Sequence, residues 1–137
     1  MIRVGIALVM VTTLTASYPD DAALTTVVKR YSNGAAWQVR TYRDGKEEGV
    51  HRGWWPNGSQ KFEYHYRNGL SEGSQREWFE DGAPFTEFNY LAGHESGLQR
   101  MWTPYGKLRA NYVVKDGRRY GLIGAMGCRG DSASSGQ

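Results

Sequence analysis

The chain has 137 residues, 17 Lys+Arg against 14 Asp+Glu for a formal charge of +3, and a single Cys. That length suits one domain rather than two, and the charge surplus is too small for the concentrated basic face that DNA or RNA requires. One Cys excludes an internal disulfide framework and a cysteine zinc cage. Apolar residues are 39% while Gly reaches 18, Trp 5 and Tyr 9, so the core must be built from rings. An exported, glycine-punctuated, aromatic-rich β protein is the expectation.

Met1-Ile2-Arg3 is a basic start, Val4 to Leu14 an apolar run, and Thr15-Ala16-Ser17 a set of small residues before Tyr18. This order predicts a secretory signal peptide over 1–17, because the run falls well short of the roughly 20 residues needed to span a bilayer as a helix. The mature chain is then expected in the periplasm or secreted. Residues 18–30 form a lead-in with a degenerate first strand, and 129–137 a Ser/Gly-rich tail expected to be disordered.

Between them, over 31–128, a 24-residue period organises the sequence. Gly34, Gly58, Gly82 and Gly106 share it, as do Gly45, Gly69, Gly93 and Gly117, and Gly49, Gly73, Gly97 and Gly121. Trp54, Trp78 and Trp102 keep the same spacing, and so do Arg52, Arg76 and Arg100, and Tyr42, Tyr66 and Tyr90. Asn33-Gly34, Asn57-Gly58 and Asp81-Gly82 predict two-residue type I′ turns, with Tyr105-Gly106 a weakened fourth copy. The segment after each turn alternates with period two: Phe62, Tyr64 and Tyr66 point one way, Lys61, Glu63, His65 and Arg67 the other. The Trp column is expected on the inner face with the tyrosines, and the Gly45-to-Gly49 class of segment turns the chain into the next hairpin. The predicted fold is all-β: stacked 24-residue β-hairpin repeats forming an elongated, twisted antiparallel sheet or open solenoid.

The pattern G-x-x-R-x-W-x-x-N/D-G, followed by Y-x-x-G-x-x-x-G, resembles the MORN (membrane occupation and recognition nexus) repeat. It is nearest to a bacterial variant often labelled YwqK-type antitoxin. The resemblance covers about Tyr31 to Gly121 and rests on Gly49, Trp54, Gly58, Tyr66, Gly69 and their copies. It implies a scaffold for protein assembly or membrane association, or a toxin-neutralising partner, and supplies no catalytic residue.

Apparent chemical motifs yield to the repeat. Gly69-Leu70-Ser71-Glu72-Gly73 spells the G-x-S-x-G nucleophile elbow, but its copies at 45–49, 93–97 and 117–121 keep only the glycines. His51, His65 and His94 fall at three different places in the unit and form no ladder. Met126 and Cys128 offer two soft sulfur ligands suited to Cu(I), which keeps a metal-handling accessory role as an alternative, although a capping Met and a lone thiol are the favoured account. Arg129-Gly130-Asp131 and the glycines Gly121, Gly124 and Gly127 carry no further context. The surface candidates are the Arg52, Arg76 and Arg100 row, suited to an anionic polymer, acidic headgroups or cross-strand ion pairs, and Trp55 and Phe79, expected exposed on a single-layered sheet. The function expected is a non-enzymatic scaffold, free of cofactors, that binds a protein or cell-envelope component through its sheet; a membrane surface is the other possible partner.

Overall fold

The computed structural model describes residues 23–122. The leader, residues 18–22, Met126, Cys128 and the tail 129–137 lie outside the described residues. Twelve antiparallel strands build one open sheet. The long strands are β1 (Thr25–Arg30), β2 (Ala36–Arg43), β4 (Gly49–Trp54), β5 (Gln60–Arg67), β7 (Gly73–Trp78), β8 (Pro84–Leu91), β10 (Gly97–Trp102), β11 (Leu108–Lys115) and β12 (Arg118–Leu122). They follow one another in that order across the sheet, as a continuous meander. The two-residue strands β3 (Lys46–Glu47), β6 (Leu70–Ser71) and β9 (His94–Glu95) fold back on β2, β5 and β8. The repeat-built open sheet expected from the glycine spacing is therefore the fold.

The two turns of each unit are of different types, and their assignment reverses the expectation. At Trp55–Ser59 the Gly58 N–H donates to the Trp55 carbonyl at 2.9 Å, and the Trp55 N–H donates to the Ser59 carbonyl at 2.8 Å. Only Gly58, at φ 85°, is left-handed. This is a type I turn closed by a left-handed glycine, and Gly82 and Gly106 repeat it at φ 85° and 74°. The preceding Asn or Asp acts through its side chain: Asn33, Asn57 and Asp81 each accept from the N–H two residues on, at 2.9–3.0 Å. The type I′ turns lie at the other end, where Asp44-Gly45, Asn68-Gly69, Ala92-Gly93 and Asp116-Gly117 all have positive φ at both residues.

Register divides the side chains between two faces. Gln38, Gly53, Phe62, Glu77, Thr86, Met101 and Ala110 form one row of successive cross-strand partners. His51 opposes Tyr64, and Gln99 opposes Tyr112, on that same face. Among the described residues every buried non-glycine side chain lies here: Gln38, His51, Phe62, Gln75, Thr86, Gln99, Ala110, Tyr112 and Val114. With one layer only, burial confined to one face requires the sheet to curl around it. Arg52 opposes Glu63, and Arg76 opposes Glu87, on the other face. Trp54, Trp78 and Trp102 go with these arginines, across the strands from Gln60, Pro84 and Leu108. The Trp column is thus on the arginine face and not on the tyrosine face, because Trp54, Trp78 and Trp102 share strand parity with Arg52, Arg76 and Arg100, whereas Gly53, Glu77 and Met101 belong to the buried row.

Units are joined by a short main-chain ladder and a side-chain plug. Only Gln38↔Gly53 and Val39↔Arg52 pair β2 with β4, and the β5–β7 and β8–β10 junctions are equally short. Gly49, Gly73 and Gly97, at φ 75–77°, bend each incoming strand away. Into the gap reaches a residue 24 apart in each unit. Gln75 accepts from the His65 N–H at 3.0 Å and donates to the His65 carbonyl at 2.7 Å. Gln99 does the same for Asn89, at 2.9 and 2.8 Å. The amide imitates the missing peptide unit, so the buried main chain stays satisfied.

Candidate functional site

The arginine face carries an alternating charge ladder. Arg52 Nε donates to Glu63 Oε2 at 2.9 Å, Arg76 Nη2 lies 3.5 Å from Glu87, and Arg100 pairs with the same Glu87. Glu63 is also the cross-strand partner of Arg76. Burial raises the Glu63 pKa, but the hydrogen bond and charge of Arg52 outweigh it and hold the carboxyl below its usual value. The arginine side chains are 49%, 48% and 38% exposed, so such pairs are worth about 1 kcal/mol or less each. The row is therefore not a free cationic stripe, since two carboxylates are interleaved among three guanidiniums.

Beside this ladder runs the Trp row, half-buried throughout. The Arg100 guanidinium sits 5.3 Å from the Trp102 ring centroid. Arg76, Trp78, Pro84, Thr86, Glu87 and Trp102 line a cleft of about 260 Å³.

Trp55 and Phe79 occupy the turn ends and are half-buried rather than projecting. The Trp55 indole N–H donates to the Trp78 carbonyl at 3.1 Å, and Tyr31, one unit earlier, donates to the Trp54 carbonyl at 2.9 Å. These contacts tie each turn to the next unit. Lys61 Nζ stands 4.3 Å from the Trp55 ring centroid, and Phe79 packs on Phe85 at 4.8 Å. Together with Phe62 and Trp78 they line an apolar cavity of about 230 Å³. Sequence reasoning thus found two of the residues of this cavity and missed its concave shape.

The tyrosine face holds His51 in the place of Gln75 and Gln99. Its ring is fully buried between Tyr42 and Tyr66, with centroids 5.7 and 4.7 Å away. Nε2 lies 2.8 Å from the Thr41 carbonyl. A carbonyl only accepts, so Nε2 carries the proton, and Nδ1 is left buried without a partner. Burial lowers the His51 pKa; the Thr41 bond raises it, Arg40 lowers it and Glu47 raises it, with a net shift downward. Burial also pushes Tyr64 up, helped by its hydrogen bond to Glu77.

His65 is elsewhere, its Nδ1 2.6 Å from the Ser74 carbonyl and its Nε2 3.8 Å from Glu63. His51 and His65 are each committed to a separate backbone carbonyl. Among the described residues no three of His, Cys, Asp and Glu are grouped to hold a metal ion, and no helix is long and apolar enough to cross a membrane. The plug column went unread in the sequence, although a polar residue recurring at 51, 75 and 99 on the tyrosine parity was its signal. No family model matches the chain, and comparison with curated proteins and with solved structures gives no match.

Proposed function

We propose that this chain is an exported, non-catalytic repeat scaffold of the MORN type that binds a protein or cell-envelope component through its arginine face and the adjoining turn-end cavity. One observation carries the reading. Two three-copy columns stand partly exposed side by side on one face: Arg52, Arg76 and Arg100, and Trp54, Trp78 and Trp102, with Glu63 and Glu87 between the arginines. On the packed face the central row varies, from Gln38 and Gly53 through Phe62, Glu77 and Thr86 to Met101 and Ala110, while Tyr42, Tyr66 and Tyr90 and the plugs Gln75 and Gln99 recur. Ion pairs this exposed stabilise too little to hold the surface columns constant, whereas a ligand contacting successive units does so directly.

The test is affinity capture from an envelope fraction with the chain from residue 18 as bait. Wild type is compared with the triple reversal Arg52→Glu, Arg76→Glu, Arg100→Glu and with Trp55→Ala, Phe79→Ala, each first shown to melt cooperatively. Loss of a saturable partner in either variant supports the reading. Identical capture by all three proteins overturns it.

A further inference from the structure

The Trp row has a period, and the period selects a ligand. Trp54, Trp78 and Trp102 occupy equivalent places on β4, β7 and β10, each two strands from the next. Two strand spacings are about 10 Å. Beside the rings stand Arg52, Glu63, Arg76, Glu87 and Arg100, which alternate donors with acceptors and carry a combined charge of only +1. An aromatic row with neutralised polar groups next to it favours a ligand with apolar ring faces, many hydroxyls and little charge. Trp78 and Trp102 line one cleft together with Arg76, Pro84, Thr86 and Glu87.

A β-1,4-linked glycan has that chemistry. Successive sugars are turned over, so equivalent ring faces recur at every second sugar, a repeat of about the same 10 Å as two strand spacings. C–H groups on a sugar face pack against an indole, while hydroxyls project sideways to where the charge ladder lies. We propose that the arginine face is a platform for a single β-1,4-linked neutral glycan chain, with Trp54, Trp78 and Trp102 under alternate sugars and the Arg–Glu ladder hydrogen-bonded to hydroxyls along one side. Five sugars are the shortest chain that reaches all three rings. Each strand also adds about 20–25° of twist, so the platform suits a soluble, twistable chain and not the flat face of a crystalline polymer. This assignment rests on the reading of the chain as a binding scaffold and names its ligand.

The experiment is calorimetry and Trp fluorescence on the chain from residue 18. The probes are chito- and cello-oligosaccharides of two to six sugars, insoluble cellulose, and dextran sulfate as a polyanion. Expected are binding of at least one hexasaccharide, affinity that climbs with length up to five sugars and then levels, and little change between low and physiological salt. Trp78→Ala weakens hexasaccharide binding on the order of tenfold, the scale of one lost ring stack. Trp78→Phe, which keeps a ring and the fold, loses less. Trp54→Ala and Trp102→Ala shorten the length at which affinity levels off. Failure of both hexasaccharide series to bind overturns the assignment, as does binding indifferent to chain length or to the Trp substitutions. Salt-sensitive binding of dextran sulfate alone, or retention on crystalline cellulose alone, overturns it too. If the sugars fail while a captured partner is still lost in the Arg or Trp55/Phe79 variants, the scaffold stands and only the glycan is wrong.

Discussion

His51→Gln is expected to stabilise the protein and to remove part of its acid sensitivity. Gln75 and Gln99 satisfy both the N–H and the carbonyl of the residue they face, whereas His51 reaches only the Thr41 carbonyl and leaves Nδ1 buried without a partner. Glutamine at 51 adds one hydrogen bond, worth about 1 kcal/mol, and removes an orphaned buried nitrogen, worth roughly 1–3 kcal/mol. Against this stand the lost contacts with the Tyr42 and Tyr66 rings, about 0.5–1.5 kcal/mol each on the scale of aromatic pairs. The balance is a gain of about 1 kcal/mol at neutral pH.

The pH dependence supplies the sharper test. The unfolded side chain titrates near pH 6.5, and burial holds the folded value below that. Below pH 6.5 the unfolded state therefore binds the extra proton, and wild-type stability falls as pH drops until the folded histidine also titrates. The maximal slope is about 1.4 kcal/mol per pH unit. His51→Gln lacks this component, so its advantage widens in acid. Urea titrations of both proteins from neutral pH down to pH 5 measure it. An advantage that is constant with pH, or a variant less stable than wild type at neutral pH, refutes the plug argument.

Three further outcomes follow from the same geometry. Ala92 holds a left-handed φ of 48° where the other units place Asp or Asn; Ala92→Asn is expected to add about 0.5–1 kcal/mol in thermal melts, and no gain would mean the turn is not type I′ in solution. A Cβ on Gly53 would lie 2.1 Å from the Phe62 ring. Gly53→Ala is therefore expected to cost about 1–3 kcal/mol, and a double-mutant cycle with Phe62→Leu should recover a substantial part; strict additivity would refute the contact. Tyr64, Tyr90 and Tyr112 all have raised pKa values, with burial as the leading cause. Stability should then hold up to pH 10 and fall above it as unfolded tyrosines ionise first, with phenolate absorbance lagging free tyrosine.

The architecture was legible because glycine spacing is a backbone requirement: a column such as Gly45, Gly69, Gly93 and Gly117 marks positions where φ must be positive. The turn types were misread because Asn-Gly signals two different geometries. At Asn57-Gly58 only the glycine is left-handed and Asn57 acts through its side chain, whereas at Asn68-Gly69 both residues are left-handed. Alternation places Trp54 with Arg52 on one strand but does not say which face of the neighbouring strand they share, and that pairing decides the face of the Trp column. Had Arg52 been paired with Glu63 first, the shared parity of Arg52 and Trp54 would have put both opposite Phe62. Trp55 and Phe79 stand out in the sequence as aromatics off the Trp column, but alternation predicts them exposed and a linear pattern has no way to express the cavity they share with Phe62 and Phe85.

The plug column also explains where the array begins. A plug is needed only where a unit meets a preceding one, because its task is to satisfy main chain that the bent incoming strand no longer reaches. Val27, 24 residues before His51, lies on edge strand β1 with no strand beyond it among the described residues, and it is 40% exposed. An amide there would face water, which satisfies polar groups without help, so an apolar β-branched residue with high strand propensity is the better choice. The change from Val27 to His51, Gln75 and Gln99 is thus a change from an edge to an interior, written at one position of the unit. The joints between units are made by these plugs and by turn-end contacts such as Trp55 to Trp78 and Gly69 to Glu47, while the ladder on the arginine face adds only weak, exposed pairs. Stacking through these joints therefore places little demand on the Arg52, Arg76 and Arg100 column.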